Sequence, residues 1–254
     1  MQDRLTLVAL SGIPLVEPGD DLAALIVESL ERADLQLQPN DVLVVTSKIV
    51  SKAEGRWLDI RTIDPSQEAV ELARQVDKDP RLVEAVLSET DTISRVRPGV
   101  LIVRHRLGFT SANAGIDHSN VGAEGDDWVL LLPVDPDQSA RRLRADILQR
   151  TGVEVGVVIS DTHGRPFRAG NAGVAIGLAG VPGLLDLRGQ VDLFGRELRA
   201  AISAVADAIA AAAGLISGEA DEGRPVVLLR GLKLPSVDER AIDLNRPPEQ
   251  DLYQ

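Results

Sequence analysis

Apolar positions along this chain follow two rhythms. Short, nearly continuous aliphatic runs mark strands. They occur at Leu5–Leu10, Asp41–Thr46 (DVLVVT), Leu101–His105, Trp128–Leu132, Glu154–Ser160 (EVGVVIS) and Pro225–Arg230 (PVVLLR). Glu154–Ser160 is the most apolar and reads as a central strand. Other segments place apolar residues every three or four positions, the spacing of one helix face. The first is Leu22–Arg32, where Leu22, Leu25, Ile26 and Leu30 align behind a capping Asp20 or Asp21. Pro65–Gln75, Arg81–Ser88 and Ser139–Arg150 follow, the last stopping at Gly152. Arg196–Ala213 is expected to be the longest helix, with Leu198, Ile202, Val205, Ile209 and Ala212 on one side. Strands and helices are interspersed, so the expected fold class is α/β (mixed α+β). One domain spanning residues 1–254 is expected, with room for two subdomains. From about Leu234 the chain turns rich in Pro, Asp and Arg and reads as a surface tail reaching Gln254.

Composition narrows the function. Aromatic residues make up 2% of the chain, so the core must be aliphatic, and a stacking platform for single-stranded nucleic acid is not expected. A net charge of -12 opposes nonspecific binding to a phosphate backbone. It leaves room for small phosphorylated ligands held by local donors or cations. No apolar run approaches the roughly 20 residues of a membrane span. The N-terminal MQDRLTLVALSG lacks the charged-then-apolar pattern of a signal peptide, so a cytoplasmic location is expected. The absence of cysteine removes disulfides, thiolate metal sites and a cysteine nucleophile.

Five segments place glycine or polar residues where sheets of this class hold ligands, beyond the strand ends. Ser11-Gly12-Ile13-Pro14-Leu15 reads as a turn or as a backbone loop approaching a nucleotide. Thr46–Arg56 gathers Ser47, Lys48, Lys52 and Arg56 after a buried strand, and reads as a helix start or as a phosphate contact. It is not a Walker A loop, because the glycine spacing is absent. Asn113–Val121 contains Asp117, a turn residue or a hard oxygen ligand for Mg2+ or Mn2+. Ser160–Asn171 places Asp161 and Thr162 at the end of the most apolar strand, followed by Arg165 and Arg168, forked donors for phosphate or carboxylate. Its His163 reads as a surface histidine. Ser217–Pro225 carries Glu219, Asp221 and Glu222 in a glycine-containing loop, a solvated turn or the completion of a metal site.

Taken in order, these segments resemble the coenzyme F420-0:gamma-glutamyl ligase family. The resemblance runs from about Leu7 to about Leu232. It is carried by DVLVVTSKIVSKAEGR, RLGFTSANAGIDHSNV, LLPVDPDQSARRLR and GVVISDTHGRPFRAGNAGVAIG. It implies a family-specific mixed-sheet fold in an intertwined homodimer, and the stand-alone form without a nitroreductase-like C-terminal domain. The implied reaction adds L-glutamate to the lactyl carboxylate of F420-0, and then further γ-linked glutamates, using GTP, Mg2+ or Mn2+ in two sites, and K+. Carried onto this sequence, Asp117 and Asp161 would hold one metal, and Thr162 and Glu219 a second. Gly12, Ile13, Pro14, Leu15, Ser47, Lys52 and Asn120 would contact GTP, joined by Ser217, Gly218, Glu219 and Gly223. Lys52 and Arg165 are the expected catalytic cations. The sequence departs from the family pattern at His163, where relatives often carry an apolar residue. Two alternatives stand beside this reading. One is a different nucleotide- and metal-dependent amide ligase; the other is a non-catalytic GTP-binding regulator.

Overall fold

The structure, a computed structural model, describes residues 4–121 and 127–250. In chain order the elements begin with β1 (Thr6–Ala9), α1 (Leu22–Arg32), β2 (Val42–Thr46), α2 (Ser47–Ala53) and β3 (Trp57–Asp59). Then come α3 (Gln67–Val76), α4 (Pro80–Ser88), β4 (Thr90–Arg97), β5 (Val100–His105), β6 (Thr110–Ala112) and β7 (Trp128–Leu130). The chain continues through α5 (Pro136–Thr151), β8 (Gly156–Arg165), β9 (Arg168–Ala179), β10 (Leu184–Asp186), β11 (Ile202–Ala204), α6 (Val205–Ser217) and β12 (Val226–Arg230). The mixture of sheets and helices is the expected α/β class.

The main sheet has five strands in the order β1-β12-β2-β8-β9. The β2–β8 pair is parallel, aligning Val42 with Gly156 and Thr46 with Ser160, and its neighbours are antiparallel. Side chains alternate across it. Leu43, Val45, Val157 and Ile159 pack against Ile26 and Leu30 of α1 and Leu143 and Ile147 of α5. Val42, Val44 and Val158 face the other way, onto Ala206, Ile209 and Ala213 of α6. With helices on both faces, neither set of residues is wetted, which is why these strands read as unbroken apolar runs. Gly173 and Gly177 on β9 make the fit close. A Cβ at Gly173 would lie 2.6 Å from the Ala210 carbonyl oxygen of α6, and one at Gly177 would lie 2.5 Å from that of Pro136 in α5.

A second core is built differently. The apolar faces of α3 and α4 (Leu72, Val76, Val83, Val86) close over Leu101 and Val103 of β5, Ile116 and Val129. Two small sheets, β3–β7 and β4–β5–β6, frame it. Its helices start as their sequences dictate. The Ser66 hydroxyl accepts from the Ala69 amide at α3, and Asp79 precedes Pro80 at α4.

Four expectations need correction. The stretch Ser160–Asn171 is not a loop, because β8 runs on to Arg165 and pairs with β9 as a long hairpin. The final helix begins at Val205, not Arg196. Leu198 lies outside it, held in an extended ladder in which its N–H donates to Gln190 and its carbonyl accepts from Gly189, and Ile202 is in β11. The helix starts instead at the alanine-rich run, where helix propensity is highest. The longest helix is α5, with 16 residues, initiated by Asp135 and Pro136 rather than by Ser139. Finally, residues 234–250 lie on the surface but are tied down. The Asp137 carboxylate accepts from the Ala241 amide at 3.0 Å, and Glu239 accepts from Gly183 at 2.8 Å. Residues 251–254 of the expected tail fall outside the described residues.

Candidate active site

A cavity of about 580 Å3 opens beyond the C-terminal end of β2, where β8 continues past its partner. Its volume falls in the range of small-molecule sites, roughly 300–1,000 Å3. The position is also the one that sheets with parallel pairs favour.

Strand β8 supplies Ser160, Asp161 and Thr162. A register shift between Ile159 and Ser160 marks the point where β8 leaves the core for the cavity, as bulges beside functional sites often do. The Asp161 carboxylate is held at both oxygens. The buried Ser47 hydroxyl donates to Oδ1 at 3.0 Å, and His163 Nε2 lies 2.9 Å from Oδ2. The expectation of a surface His163 is overturned, since it is buried. Residues two apart on a strand share a face, so Asp161 and His163 align once β8 is seen to continue.

Helix α2 supplies Ser47, Lys48 and Lys52. Lys52 is buried, its Nζ donating to the Asn120 carbonyl at 2.8 Å and lying 5.4 Å from the Trp57 ring centre. Burial, and then the charge of Lys48, hold its pKa below the usual lysine value. Lys48 Nζ donates to the Ser119 carbonyl at 2.9 Å and sits 3.4 Å from Asp117 Oδ2. Asp117 is fixed by two backbone hydrogen bonds with Leu130. Burial pushes its carboxyl above the usual aspartate value. Lys48 pulls it back, while Asp161 and Glu219 add to the rise. Asp117 and Asp161, both partly buried, thus stand near a third carboxylate, with Lys48 supplying only part of the balancing charge beside Asp117.

The loop after α6 brings Ser217, Gly218, Glu219 and Gly223 to the cavity. Thr162 Oγ1 donates to Glu219 Oε1 at 3.2 Å, and Asn120 Nδ2 donates to the Ala220 carbonyl at 2.9 Å. Ile13, Pro14 and Leu15 form part of the wall from the N-terminal loop. Gly12, at φ +77°, turns the chain just behind them without lining the cavity itself. Arg165 is also outside it, exposed at the far end of the β8–β9 hairpin with its guanidinium 3.3 Å from the Ala169 carbonyl. Arg224 does line the cavity. It stands in a loop singled out for its acids, and its charge beside them was the available signal.

The donor set bears on a metal ion. Among the described residues, no three carboxylate or imidazole side chains gather closely enough to enclose one. Two aspartates facing a cavity that also holds Lys48, Lys52 and Arg224 fit a different design. Mg2+ commonly takes one or two carboxylates and completes its shell with phosphate oxygens and water. Asp117 and Asp161 suit that role. Thr162 and the exposed Glu219 offer a hydroxyl and a carboxylate, a sparser pair.

Comparison with known proteins places the chain among the ligases. It matches the description F420-0:Gamma-glutamyl ligase over residues 12–231 and belongs to that family. It is similar to the coenzyme F420:L-glutamate ligase of Methanopyrus kandleri, 48% identical over 244 residues, covering 94% of this chain and 93% of that protein. The protein of the same name from Methanothermobacter thermautotrophicus is 44% identical over 252 residues, covering 98% and 99%. That of Archaeoglobus fulgidus is 43% identical over 251 residues, covering 99% and 97%.

Proposed function

We propose that this chain joins L-glutamate to the lactyl carboxylate of coenzyme F420-0 at the expense of GTP, and then extends the product through γ-linked glutamates. The names of its relatives supply the substrate class. The observation that carries the chemistry is the convergence of Asp117, Asp161, Lys48 and Lys52 on one cavity.

A carboxylate does not condense with an amine in water at a useful rate, because its oxygen is a poor leaving group. In the proposed reaction a carboxylate oxygen of F420-0 attacks the γ-phosphorus of GTP and GDP departs, leaving an acyl phosphate. The neutral amine of glutamate then attacks the carbonyl, the bond to phosphate breaks, and the nitrogen gives up a proton. Phosphoryl transfer asks the protein mainly for alignment and charge neutralisation. Divalent cations, Mg2+ or Mn2+, would neutralise phosphate charge, with Asp117 and Asp161 as ligands to one and Thr162 and Glu219 to a second. K+ is a further expected activator.

Lys52 contacts a GTP phosphate in this scheme, while Ile13, Pro14, Leu15, Ser47, Asn120 and the 217–223 loop form the nucleotide wall. Lys52 is already desolvated, so an anion entering beside it meets a charge with little water to displace. The enzyme is proposed to work in the cytoplasm as a homodimer. No helix among the described residues is long and apolar enough to cross a membrane. The apolar Leu193 and Phe194, 99% and 85% exposed, support an oligomer that covers them.

The test is incubation with GTP, Mn2+, L-glutamate and F420-0, read by mass spectrometry. The expected result is a gain of glutamyl units matched by GDP release. Turnover with ATP in place of GTP, or glutamylation only of another acid, would favour a different amide ligase. Binding of GTP without turnover would favour a regulator.

A further inference from the structure

The carboxylate of Asp161 is held at both of its oxygens. Ser47 Oγ donates to Oδ1 at 3.0 Å. His163 Nε2 meets Oδ2 at 2.9 Å, and because a carboxylate only accepts, that nitrogen must carry the proton. The backbone of Gly115 approaches the same oxygen: a Cβ placed there would lie 3.4 Å from Oδ2. The imidazole has little freedom to turn away. It is 8% exposed and packs on Phe109 with ring centres 4.7 Å apart. Phe109 is in turn stacked at 5.0 Å on the fully buried His105. The His105 ring is fixed as well, its Nδ1 accepting from the Leu107 amide at 2.9 Å. Three rings packed in series thus back a single N–H aimed at the carboxylate.

We propose that His163 is a positioning residue for Asp161: with Ser47 it fixes the plane of the carboxylate, one donor on each oxygen, in the orientation that accepts a divalent cation. The inference rests on the reading of Asp161 as a metal ligand given above. Each carboxylate oxygen has two acceptor sites, so a donor on each leaves the remaining lone pairs free for a cation and removes the rotation that binding would otherwise have to arrest. Hydrogen-bonded partners behind a metal ligand typically govern its affinity by ten- to a hundredfold.

Packing alone and positioning make different demands. If the ring only fills space beside Phe109, an apolar side chain of similar size serves. If the N–H matters, the substitute must carry one. The experiment titrates Mn2+ into the full chain with a non-hydrolysable GTP analogue and reads free Mn2+ by electron paramagnetic resonance. Metal-free thermal midpoints report on the fold. His163→Leu is expected to weaken Mn2+ binding by about ten- to a hundredfold, and His163→Gln, whose amide can reach Oδ2, to recover most of the loss. Parental affinity in His163→Leu overturns the proposal, and so does equal weakening in the two variants. Asp161→Asn is the control: if it binds Mn2+ as the parent does, the metal-ligand reading of Asp161 fails rather than the part assigned to His163. Should His163→Leu not fold, nitrogen NMR of the parent decides. A proton on Nε2 at neutral pH supports the proposal, and a bare Nε2 overturns it.

Discussion

The two cores of this protein meet at the cavity, and they are built on opposite terms. In the main sheet every central strand is sealed on both faces, by α1 and α5 on one side and α6 on the other. In the second core the helices α3 and α4 do most of the covering, and β4 is largely exposed. One body is sandwiched and the other is a half-covered lobe, yet each gives one of the two aspartates of the site. Asp161 rises from β8 of the sheet, and Asp117 comes from the bridge beside Leu130 in the lobe. Phe109 of the lobe packs on His163 of β8, and other contacts between the two are polar. Lys48 and Lys52, on the sheet side, donate to the carbonyls of Ser119 and Asn120. Arg56 donates to Glu89 at the end of α4. A site assembled this way requires both bodies to be in place before it has its full charge.

The largest effect is expected from removing one acid on each side. Asp161→Asn and Asp117→Asn keep size and hydrogen bonding but lose the charge, and each is expected to abolish ligation of glutamate to F420-0 while leaving the fold intact. The double variant should be little worse than either, because groups acting as a unit are not additive. Near-normal turnover in one of the two, at ordinary Mn2+, would show that a single body carries the site.

Next in size is the ionic contact at the seam. Burial pushes Glu89 upward, but His105, Arg106 and Arg56 around it outweigh that and hold its carboxyl at about 2. Its folded value is depressed, so its contribution is present above the ordinary value of 4.5 and fades as pH falls toward 2. The shift corresponds to roughly 3 kcal/mol at neutral pH. Glu89→Gln is expected to lower the urea midpoint at pH 7 and to flatten its acid dependence below pH ~4.5. An unchanged acid limb would mean that the lobe is held by its apolar contacts alone.

Lys52→Met separates stitching from ligand binding. The methionine keeps most of the stem, and the lost ammonium was already poorly hydrated. The nucleotide-free thermal midpoint should therefore hardly move. GTP affinity, measured by calorimetry with Mn2+, should fall about ten- to a hundredfold, the worth of one charge-assisted contact. Parental affinity with a lowered midpoint would make Lys52 a strut between the bodies and pass the phosphate to Lys48. The smallest effect is expected at Arg165. Exposed at the hairpin end, Arg165→Ala should change stability by less than about 0.5 kcal/mol and leave GTP affinity as it was. A tenfold loss would mean that the hairpin folds over the nucleotide.

The same contrast decides which elements are legible in the sequence. Strands β2, β8 and β12 were legible because both of their faces are dry. β4 (TDTISRVR) was not, because a wetted strand carries no apolar signal. From Ser160 to Asn171 the hairpin carries no strand signal, because Gly164, Pro166 and Gly170 punctuate it and, His163 apart, its side chains there are exposed or only partly buried. Arg196–Ala213 misled in the opposite sense, since Leu198 and Ile202 kept a helical spacing that their backbone pairing overrides. At the site, Asp117, Asp161, Thr162, Lys52 and Glu219 emerged from the order of the motifs, and all of them line the cavity. The burial of His163 and its contact with Asp161 are hidden in the sequence, because they depend on β8 remaining a strand for three more residues.

Gly173 has a consequence for how this enzyme can vary. It lines the cavity, and it is also where α6 lies against β9 too closely to admit a methyl group. The helix that rests there runs on into the loop that carries Glu219. The smallest possible residue thus acts as a spacer setting the width of the site, and drift in sequence at this position is closed by backbone rather than by chemistry. Libraries aimed at a different acceptor or nucleotide would do better at the rim. Leu15 there is 86% exposed and lines the cavity, so a change of size at that position is not opposed by core packing.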